Sequence, residues 1–207
     1  MDPKTTMAPR DMQPELNLLS RLRQGDEEAF AELYRRHKDA VYRFALLWTG
    51  SAATAADVTQ EAFLAFIAKP GMYDPARGSF AGWLCGIARN FARKEAGLRE
   101  DATDPGDLLA DHALPEAFVE NATPEVRLLA DERADQVRTA LAGVAPHYRD
   151  VLVLCELCDH SYAEAAQACG IDIGTVRSRL SRGRAQFAHQ LSRLGLLAGS
   201  PRVKEAS

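Results

Sequence analysis

The chain has 207 residues, which is enough for one medium domain or two small ones. Its residues are 46% apolar and 26% charged, which argues against a chain that is disordered throughout. The net charge of −4 excludes a uniformly basic nucleic-acid coat, so any DNA contact must come from local clusters of basic residues.

Residues 1–14 are polar, and we expect them to form a flexible tail. They contain no apolar segment of the kind that a secretory signal carries. The chain also has no run of roughly 18 apolar residues, which a transmembrane helix would need. These features favour a cytoplasmic protein without a membrane segment, in which cysteine thiols stay reduced.

Helical spacing dominates the next segment, and strand signals are nearly absent. A first helix is predicted from Glu15 to Gln24, with Gly25 after it. Asp26 is suited to cap a second helix that continues to Gly50. The apolar positions of this second helix are predicted to face inward: Ala29, Phe30, Leu33, Tyr34, Val41, Phe44, Ala45 and Trp48.

Two further helices are predicted before the composition changes. The third runs from Thr54 to Ala68, and Pro70 and Gly71 end it. Its inward side carries Val58, Ala62, Phe63 and Phe66. A loop from Asp74 to Ser79 follows, and Ser79 is suited to cap a long fourth helix. The apolar residues of that helix share one face: Phe80, Leu84, Ile87 and Phe91.

An acidic, proline-containing segment then separates two parts of the chain. Residues 100–125 include eight acidic residues and no Lys or Arg, which is typical of a linker, with a short helix near Leu108 or Phe118 left open. We therefore predict an all-α fold with two small helical domains, residues 15–99 and 125–195. The linker is residues 100–124, and residues 196–207 form a second flexible tail.

The second domain is predicted to contain four helices: Glu125–Val144, His147–Leu157, Tyr162–Cys169 and Thr175–Leu194. Its Cys155 and Cys158 form a C-x-x-C pair, and the nearby candidates for further zinc ligands are His160 and Cys169. Because Cys155 lies in an apolar run and Cys169 ends an alanine-rich helix, core packing is favoured over a metal or redox site. We expect no cofactor and no metal.

The segment from Ser161 to Phe187 has the pattern of a helix-turn-helix. Ser161 and Glu164 have the spacing of a capping box, and Gly170 closes the short first helix. Residues 171–174 form the turn before the second helix. One stripe of that second helix is apolar and is predicted to face the core: Val176, Leu180, Gly183 and Phe187.

The opposite face of this helix is basic. Residues 173–193 contain five Arg and no acidic residue, within a chain of net negative charge. Arg binds guanine edges or phosphates, and Ser binds either. A solvated basic face is the alternative, but the helix-turn-helix context favours DNA. The predicted contacts are Thr175, Arg177, Ser178, Arg179, Ser181 and Arg182.

A second basic cluster lies on and just before the fourth helix. Its basic residues stand beside aromatic side chains and an amide, a combination that suits melted DNA. An amphipathic helix with a core Trp is the equally open alternative. The residues of this cluster are Arg77, Trp83, Arg89, Asn90, Arg93, Lys94 and Arg99.

Four segments in order resemble the extracytoplasmic-function (ECF) sigma factors of bacterial RNA polymerase. One such segment would be weakly specific, whereas four in this order are highly specific. They resemble the opening helices, the polymerase-binding helix, the promoter-melting helix and the final helix-turn-helix. The segments are Leu33–His37 with Val41–Arg43, Asp57–Leu64, Phe80–Leu84 with Ile87–Asn90, and Ser161–Ala166 with Gly174–Arg184.

The resemblance implies a role for each part. The first domain would be like sigma region 2 and bind the β′ clamp helices of core polymerase; the residues implied are Asp57, Gln60, Glu61 and Phe63. Its loop from Asp74 to Ser79 and the helix of Asn90 would capture the minus-ten element as it opens, with Ser79 among the contacts and a base flipped into a pocket. The second domain, like sigma region 4, would read the minus-thirty-five element and meet the β flap. The polymerase would supply all chemistry, so the chain is not expected to be an enzyme.

One departure from the family concerns the polymerase-binding helix. The family usually has Asp-Ala-Glu-Asp before the Gln-Glu pair, whereas this chain has Thr54-Ala55-Ala56-Asp57. Our hypothesis is that phosphorylation of Thr54, or less favourably Thr59, restores the missing negative charge. The alternative is that Thr and Ala are tolerated there. The resemblance leaves open whether an anti-sigma factor or a Ser/Thr kinase controls the chain.

Three other classes of protein remain as alternatives. A free-standing helix-turn-helix regulator would explain residues 175–184 but not the N-terminal motifs. An enzyme is disfavoured because the five His are scattered and neither a Gly-rich phosphate loop nor a convincing carboxylate pair occurs. A structural zinc module would rest on the cysteines alone.

Overall fold

The described residues of a computed structural model, 9–98 and 124–196, form eight α-helices and no β-strand. Side chains are described for residues 14–98 and 132–196. Several predictions lie outside these ranges: most of both tails, the linker with its helix near Leu108 or Phe118, and Arg99.

The N-terminal domain consists of four α-helices. Their bounds are α1 Pro9–Arg23, α2 Glu27–Thr49, α3 Ala52–Ala68 and α4 Phe80–Glu95, with a 3₁₀ turn at Pro70–Met72. Helix α1 begins at Pro9 rather than Glu15, and a proline is tolerated at the first helical position because its missing N–H would have no partner there.

Side-chain caps explain where these helices begin. The Asp26 carboxylate accepts the N–H groups of Glu28 and Ala29 at 3.0 and 3.2 Å, as its position before α2 predicts. Ser79 accepts the N–H of Gly82 at 3.1 Å and starts α4. Helix α3 begins at Ala52 rather than Thr54 because Ser51 caps it.

Helices α2, α3 and α4 pack on one another around the apolar side chains that their periodicity predicts. The large side chains at the centre are Leu33, Val41, Phe44, Trp48, Val58, Phe66, Phe80 and Leu84. Tyr34 is the exception to the predicted inward set, since it is 39% exposed. Its ring lies 4.8 Å from that of Phe63, so Tyr34 covers the core from outside.

The C-terminal domain also has four helices, with bounds α5 Pro124–Ala142, α6 Pro146–Leu152, α7 Tyr162–Cys169 and α8 Ile173–Arg193. The helix predicted over His147–Leu157 is α6 followed by one π-helical turn, Val153–Leu157. Helix α8 begins at Ile173 rather than Thr175, because Asp172 accepts the N–H of Thr175 at 2.8 Å.

The helix-turn-helix forms where the sequence predicts it. Gly170 closes α7 at φ 67°, a left-handed conformation that favours glycine. Val176 and Leu180 of α8 are buried. Gly183 faces α6 so closely that a Cβ there would lie 3.2 Å from the Tyr148 carbonyl oxygen. This contact fixes α8 against α6 and leaves its opposite face outward.

The two domains pack directly against each other. One continuous cluster of buried apolar residues runs through both of them. Helix α4 contacts α7, and α2 contacts α5 and the π-helical turn. Among the helices described, none is long and apolar enough to cross a membrane.

Candidate nucleic-acid and polymerase interfaces

Helix α8 presents its predicted DNA-binding face outward. Arg177, Ser178, Ser181 and Arg182 are exposed, and they stand opposite buried Val176 and Leu180. Their steps of one, three and one residue place them on one face of the helix. A helix of this kind fits the major groove of duplex DNA.

The other two predicted residues of α8, Thr175 and Arg179, are half-buried. The Thr175 hydroxyl donates to Asp172 Oδ2 at 2.7 Å, and its N–H donates to Oδ1. These two hydrogen bonds lower the pKa of Asp172. Thr175 is therefore also part of the cap that begins the helix.

A contact within the C-terminal domain positions Arg182. Its Nη1 donates to the Tyr148 hydroxyl at 3.3 Å. Tyr148 is buried on α6, so the guanidinium is oriented by the same helix that packs on Gly183.

The basic cluster of the N-terminal domain is divided between solvent and the domain interface. Arg77, Asn90 and Lys94 are exposed. Arg89 and Arg93 instead donate to Asp150 Oδ2, at 2.7 and 3.2 Å. The prediction from sequence did not include Asp150, which is fully buried on α6. In the sequence Asp150 stands beside an apolar run, and this pattern does not indicate that it binds arginine side chains.

Trp83, assigned to the same cluster, is half-buried among aromatic rings. Its ring stacks on that of Phe80 with 5.9 Å between the centroids, and Phe66 and Tyr73 lie at similar distances. Burial raises the pKa of Tyr73 to about 12, and its hydroxyl donates to the Gly78 carbonyl. These contacts tie the loop before α4 to the aromatic core.

Ser79 joins the two domains as well as capping α4. Its hydroxyl donates to Glu164, the residue that completes the capping box of α7. Glu164 also accepts the Ser161 N–H at 2.9 Å and the Ser161 hydroxyl at 2.8 Å. Burial would raise the pKa of Glu164, but these hydrogen bonds outweigh it and hold the pKa below its ordinary value.

The predicted polymerase-binding residues lie on and under one face of α3. Asp57, Gln60 and Glu61 are exposed, whereas Phe63 is only 2% exposed and offers little area to a partner. Sequence reasoning missed the exposed apolar residues beside them. These residues are Tyr34, Leu64 and Ile67, which line a shallow groove over Phe63.

The two threonines of the phosphorylation hypothesis differ in accessibility. Thr54 is half-exposed in the first turn of α3, where its N–H and hydroxyl both contact the Ser51 hydroxyl oxygen, at 3.3 and 3.1 Å. Thr59 is buried, and its hydroxyl donates to the Ala55 carbonyl at 2.7 Å. The first turn of α3 contains no acidic residue.

The cysteines pack as thiols in the core and at its edge. Burial raises the pKa of Cys158 to about 11 and that of Cys169 to about 12, so the thiolate that binds metal is disfavoured. Burial likewise lowers the pKa of His160, which lies 3.9 Å from Glu164. In the part of the chain that the structure describes, no three His, Cys, Asp or Glu residues cluster as metal ligands.

Comparisons with known proteins match both domains. The family model of sigma-70 region 2 matches residues 33–97, and that of sigma-70 region 4 matches residues 134–187. The chain is 34% identical to the ECF RNA polymerase sigma factor SigE of Mycolicibacterium smegmatis over 177 residues, covering 82% of this chain and 65% of SigE. It is 30% identical to the RNA polymerase sigma factor CarQ of Myxococcus xanthus, covering 86% of this chain and 98% of CarQ.

Solved structures share the fold. The structure of CnrH in complex with the cytosolic domain of CnrY superposes with a TM-score of 0.63 at 24% identity, covering 85% of this chain and 96% of that one. The sigma factor RpoE of Bartonella quintana, solved with the anti-sigma factor NepR, gives 0.55 at 21% identity, covering 79% and 96%.

Proposed function

This chain belongs to the ECF family of RNA polymerase sigma factors, and from that premise we propose which of its surfaces meet the promoter and which meets the polymerase. A sigma factor directs core polymerase to promoters and initiates transcription there. We assign duplex reading of the minus-thirty-five element to α8. We assign capture of the melted minus-ten element to α4 and the loop before it.

The observation that carries this assignment is the outward face of α8. Arg177, Ser178, Ser181 and Arg182 stand together there, in a helix with five Arg and no acid. Such a face supplies bidentate Arg contacts to guanine and Ser contacts to bases or phosphates. On α4 and its loop, the exposed residues Arg77, Asn90 and Lys94 offer cations and an amide, and the half-buried Trp83 belongs to the same helix.

Run-off transcription tests this assignment and identifies the promoter in one experiment. The purified chain is combined with core polymerase on a library of genomic promoter fragments, and core polymerase alone is the control. We expect transcripts from a small set of promoters that share both elements. Transcripts that do not depend on the chain, together with DNA binding by the chain alone, would instead favour the free-standing regulator.

We place the polymerase-binding surface on α3. The exposed polar residues Asp57, Gln60 and Glu61 adjoin the exposed apolar side chains of Leu64 and Ile67. An apolar patch rimmed by polar residues is typical of a protein-binding site. The β′ clamp helices of the polymerase are the partner that the family implies.

We also propose that this surface is completed by phosphorylation of Thr54. The hydroxyl lies in the first turn of α3, where negative charge interacts favourably with the helix dipole. A phosphate adds about −1.5 to −2 charges, close to what the two absent carboxylates would supply. Thr59 is disfavoured as the target because its hydroxyl is buried and donates to a backbone carbonyl.

A pull-down with core polymerase tests the Thr54 proposal. Thr54→Glu is expected to retain about two- to fivefold more core polymerase than Thr54→Gln, the scale of one exposed charge pair. Thr54→Gln is the matched control, because it provides the same capping-box side chain without charge. Treatment of the wild type with a Ser/Thr kinase should increase binding, and treatment of Thr54→Ala should not. Equal retention of all forms, treated and untreated, would contradict the proposal.

A further inference from the structure

One face of α4 is covered by the C-terminal domain. That face carries Gly82, Cys85, Gly86, Arg89 and Arg93, each of which lies three or four residues from another member of the set. A Cβ at Gly86 would lie 3.1 Å from the Ala168 Cα, so α4 and α7 meet backbone to backbone. The Cys85 thiol between the two glycines is fully buried.

Asp150 anchors one end of this contact. Its side chain is 0% exposed. It accepts hydrogen bonds from Arg89 Nε at 2.7 Å, Arg93 Nη1 at 3.2 Å and Trp48 Nε1 at 2.8 Å. All three donors belong to the N-terminal domain, and Asp150 belongs to α6. Because all three donors come from the other domain, these hydrogen bonds hold the two domains together.

Two further polar links close the interface. Arg149 donates to the Trp48 carbonyl at 3.0 Å, and its guanidinium lies 5.0 Å from the Trp48 ring centroid. At the other end of α4, Ser79 donates to Glu164 of α7. The close helix contact at Gly86 therefore lies between polar contacts at both ends.

We infer that this arrangement is a closed state in which Asp150 takes the place of a DNA phosphate on Arg89 and Arg93, so that the C-terminal domain competes with promoter DNA for α4. This inference rests on the proposed role of α4 in holding the minus-ten element. A carboxylate and a phosphate oxygen accept the same charge-assisted hydrogen bonds from guanidinium groups. Ser79 and the two arginines are therefore withheld from DNA while the domains are together.

The closed state is too compact to hold both promoter elements. Their names place them about 25 base pairs apart, or roughly 85 Å at about 3.4 Å per base pair. In this structure Arg77 of the N-terminal domain and Thr175 and Arg179 of α8 line one groove. The chain between α4 and α5, residues 96–123, could span at most roughly 100 Å if fully extended. The two domains must therefore separate to hold both elements, and the connecting segment is long enough to allow this.

The test compares the full-length wild type with Asp150→Asn. Removing the carboxylate charge takes away the anion that Arg89 and Arg93 share across the interface, so the closed state should be the one destabilised. The matched control is Glu156→Gln, the same type of change in an exposed pair with Arg184 inside the C-terminal domain. Circular dichroism verifies that each variant remains helical.

Two readouts separate closure from DNA binding. The first is the alkylation rate of Cys85 by iodoacetamide, assigned by peptide mass spectrometry, with the wild type and Glu156→Gln alkylated in parallel as references. The second is the affinity for a single-stranded oligo(dT) probe, without polymerase. For Asp150→Asn we expect both to rise on the order of tenfold, and for Glu156→Gln neither. Unchanged Cys85 alkylation would overturn the closed state, and faster alkylation without tighter oligo(dT) binding would overturn the competition with DNA.

A second variant covers the case in which Asp150→Asn does not fold. Gly86→Leu leaves every charge in place and drives a side chain into the Ala168 backbone, so it should open the interface with the same two effects. Gly71→Leu is its control, because a Cβ at Gly71 would meet no atom within 4 Å. Equal behaviour of Gly86→Leu and wild type would overturn the inference. Run-off transcription by the wild type tests the proposed function separately.

Discussion

Arg177 and Arg193 differ in their position on α8, and we therefore expect them to differ in function. Both are exposed on α8, but Arg177 lies in its second turn beside Ser178 and Ser181, whereas Arg193 is its last residue. In helix-turn-helix proteins the N-terminal residues of the recognition helix reach the base edges. The Arg193 side chain instead lies 3.5 Å from Gln190.

We predict that Arg177→Ala reduces run-off transcription from the chain's own promoter by about 5- to 150-fold, since one bidentate base contact contributes about 1–3 kcal/mol. Arg193→Ala, which removes the same charge from the same helix, should change it less than about threefold. The measurement is transcript yield at limiting chain concentration with core polymerase. Similar losses for both variants would indicate a general charge effect and refute base reading by Arg177.

At the scale of single elements, the capping box of α7 joins local and long-range structure. Glu164 accepts hydrogen bonds from its own helix cap and from Ser79 of α4. Because these bonds hold the folded-state pKa below the ordinary value of 4.5, the stabilisation is present above that pH. It is lost as pH falls through the folded-state pKa.

We therefore predict that Glu164→Gln lowers the free energy of unfolding by about 0.5–1.5 kcal/mol at pH 7, because the hydrogen bonds that the carboxylate accepts are stronger than those of a neutral amide oxygen. The difference from wild type should shrink as pH falls below 4.5 and through the lowered folded-state pKa, because protonation removes the same charge from the wild type. Urea unfolding at several pH values measures this. The exposed Glu156→Gln should lose about 0.5 kcal/mol or less. A deficit for Glu164→Gln that is independent of pH would contradict the prediction.

The elements that could be predicted from sequence are those with local signals. Asp26, Gly50 and an apolar stripe define α2, and its bounds were predicted correctly. The predicted start of α8 was wrong by two residues, because an Asp at position 172 is equally typical of a turn and of a helix cap. The π-helical turn after Leu152 has no compositional signal, since the same apolar residues suit an α-helix.

At the scale of the whole molecule, the two domains share one buried core. Both tryptophans, Trp48 and Trp83, lie in the N-terminal domain, so their fluorescence follows that domain and, through Trp48, its contact with Asp150 and Arg149. Far-UV circular dichroism follows the helices of both domains. Coincident transitions by the two methods would show that the domains unfold as one unit.

We predict coincident urea transitions for the wild type and for Gly71→Leu, and separated transitions for Gly86→Leu. The physical reason is the contact of α4 with α7, which a side chain at position 86 would force apart. Fluorescence and circular dichroism recorded on the same samples provide the measurement. Separated transitions in the wild type would show that the interface contributes little to stability.

This arrangement of the domains could not be predicted from the sequence. The sequence pattern around Arg89 and Arg93 is the same whether they bind DNA or a carboxylate, because either partner is bound by positive charge on the polar face of an amphipathic helix. Gly82 and Gly86 carry no signal of a partner until the helix that approaches them is known. The four family segments predicted both domains correctly because each depends on residues close together in the chain.

If Arg89 and Arg93 hold promoter DNA as well as Asp150, as we propose, this shared use has an evolutionary consequence. A substitution there that altered promoter preference would also alter how firmly Asp150 holds the domains together. Evolutionary changes in promoter preference and in the strength of domain closure would then be linked. Compensating substitutions would be expected at Asp150. Exchanging α4 alone to change the target promoter would then give variants that open too easily or not at all. Exchanging α4 and α6 as a pair would preserve the balance between the closed and open states.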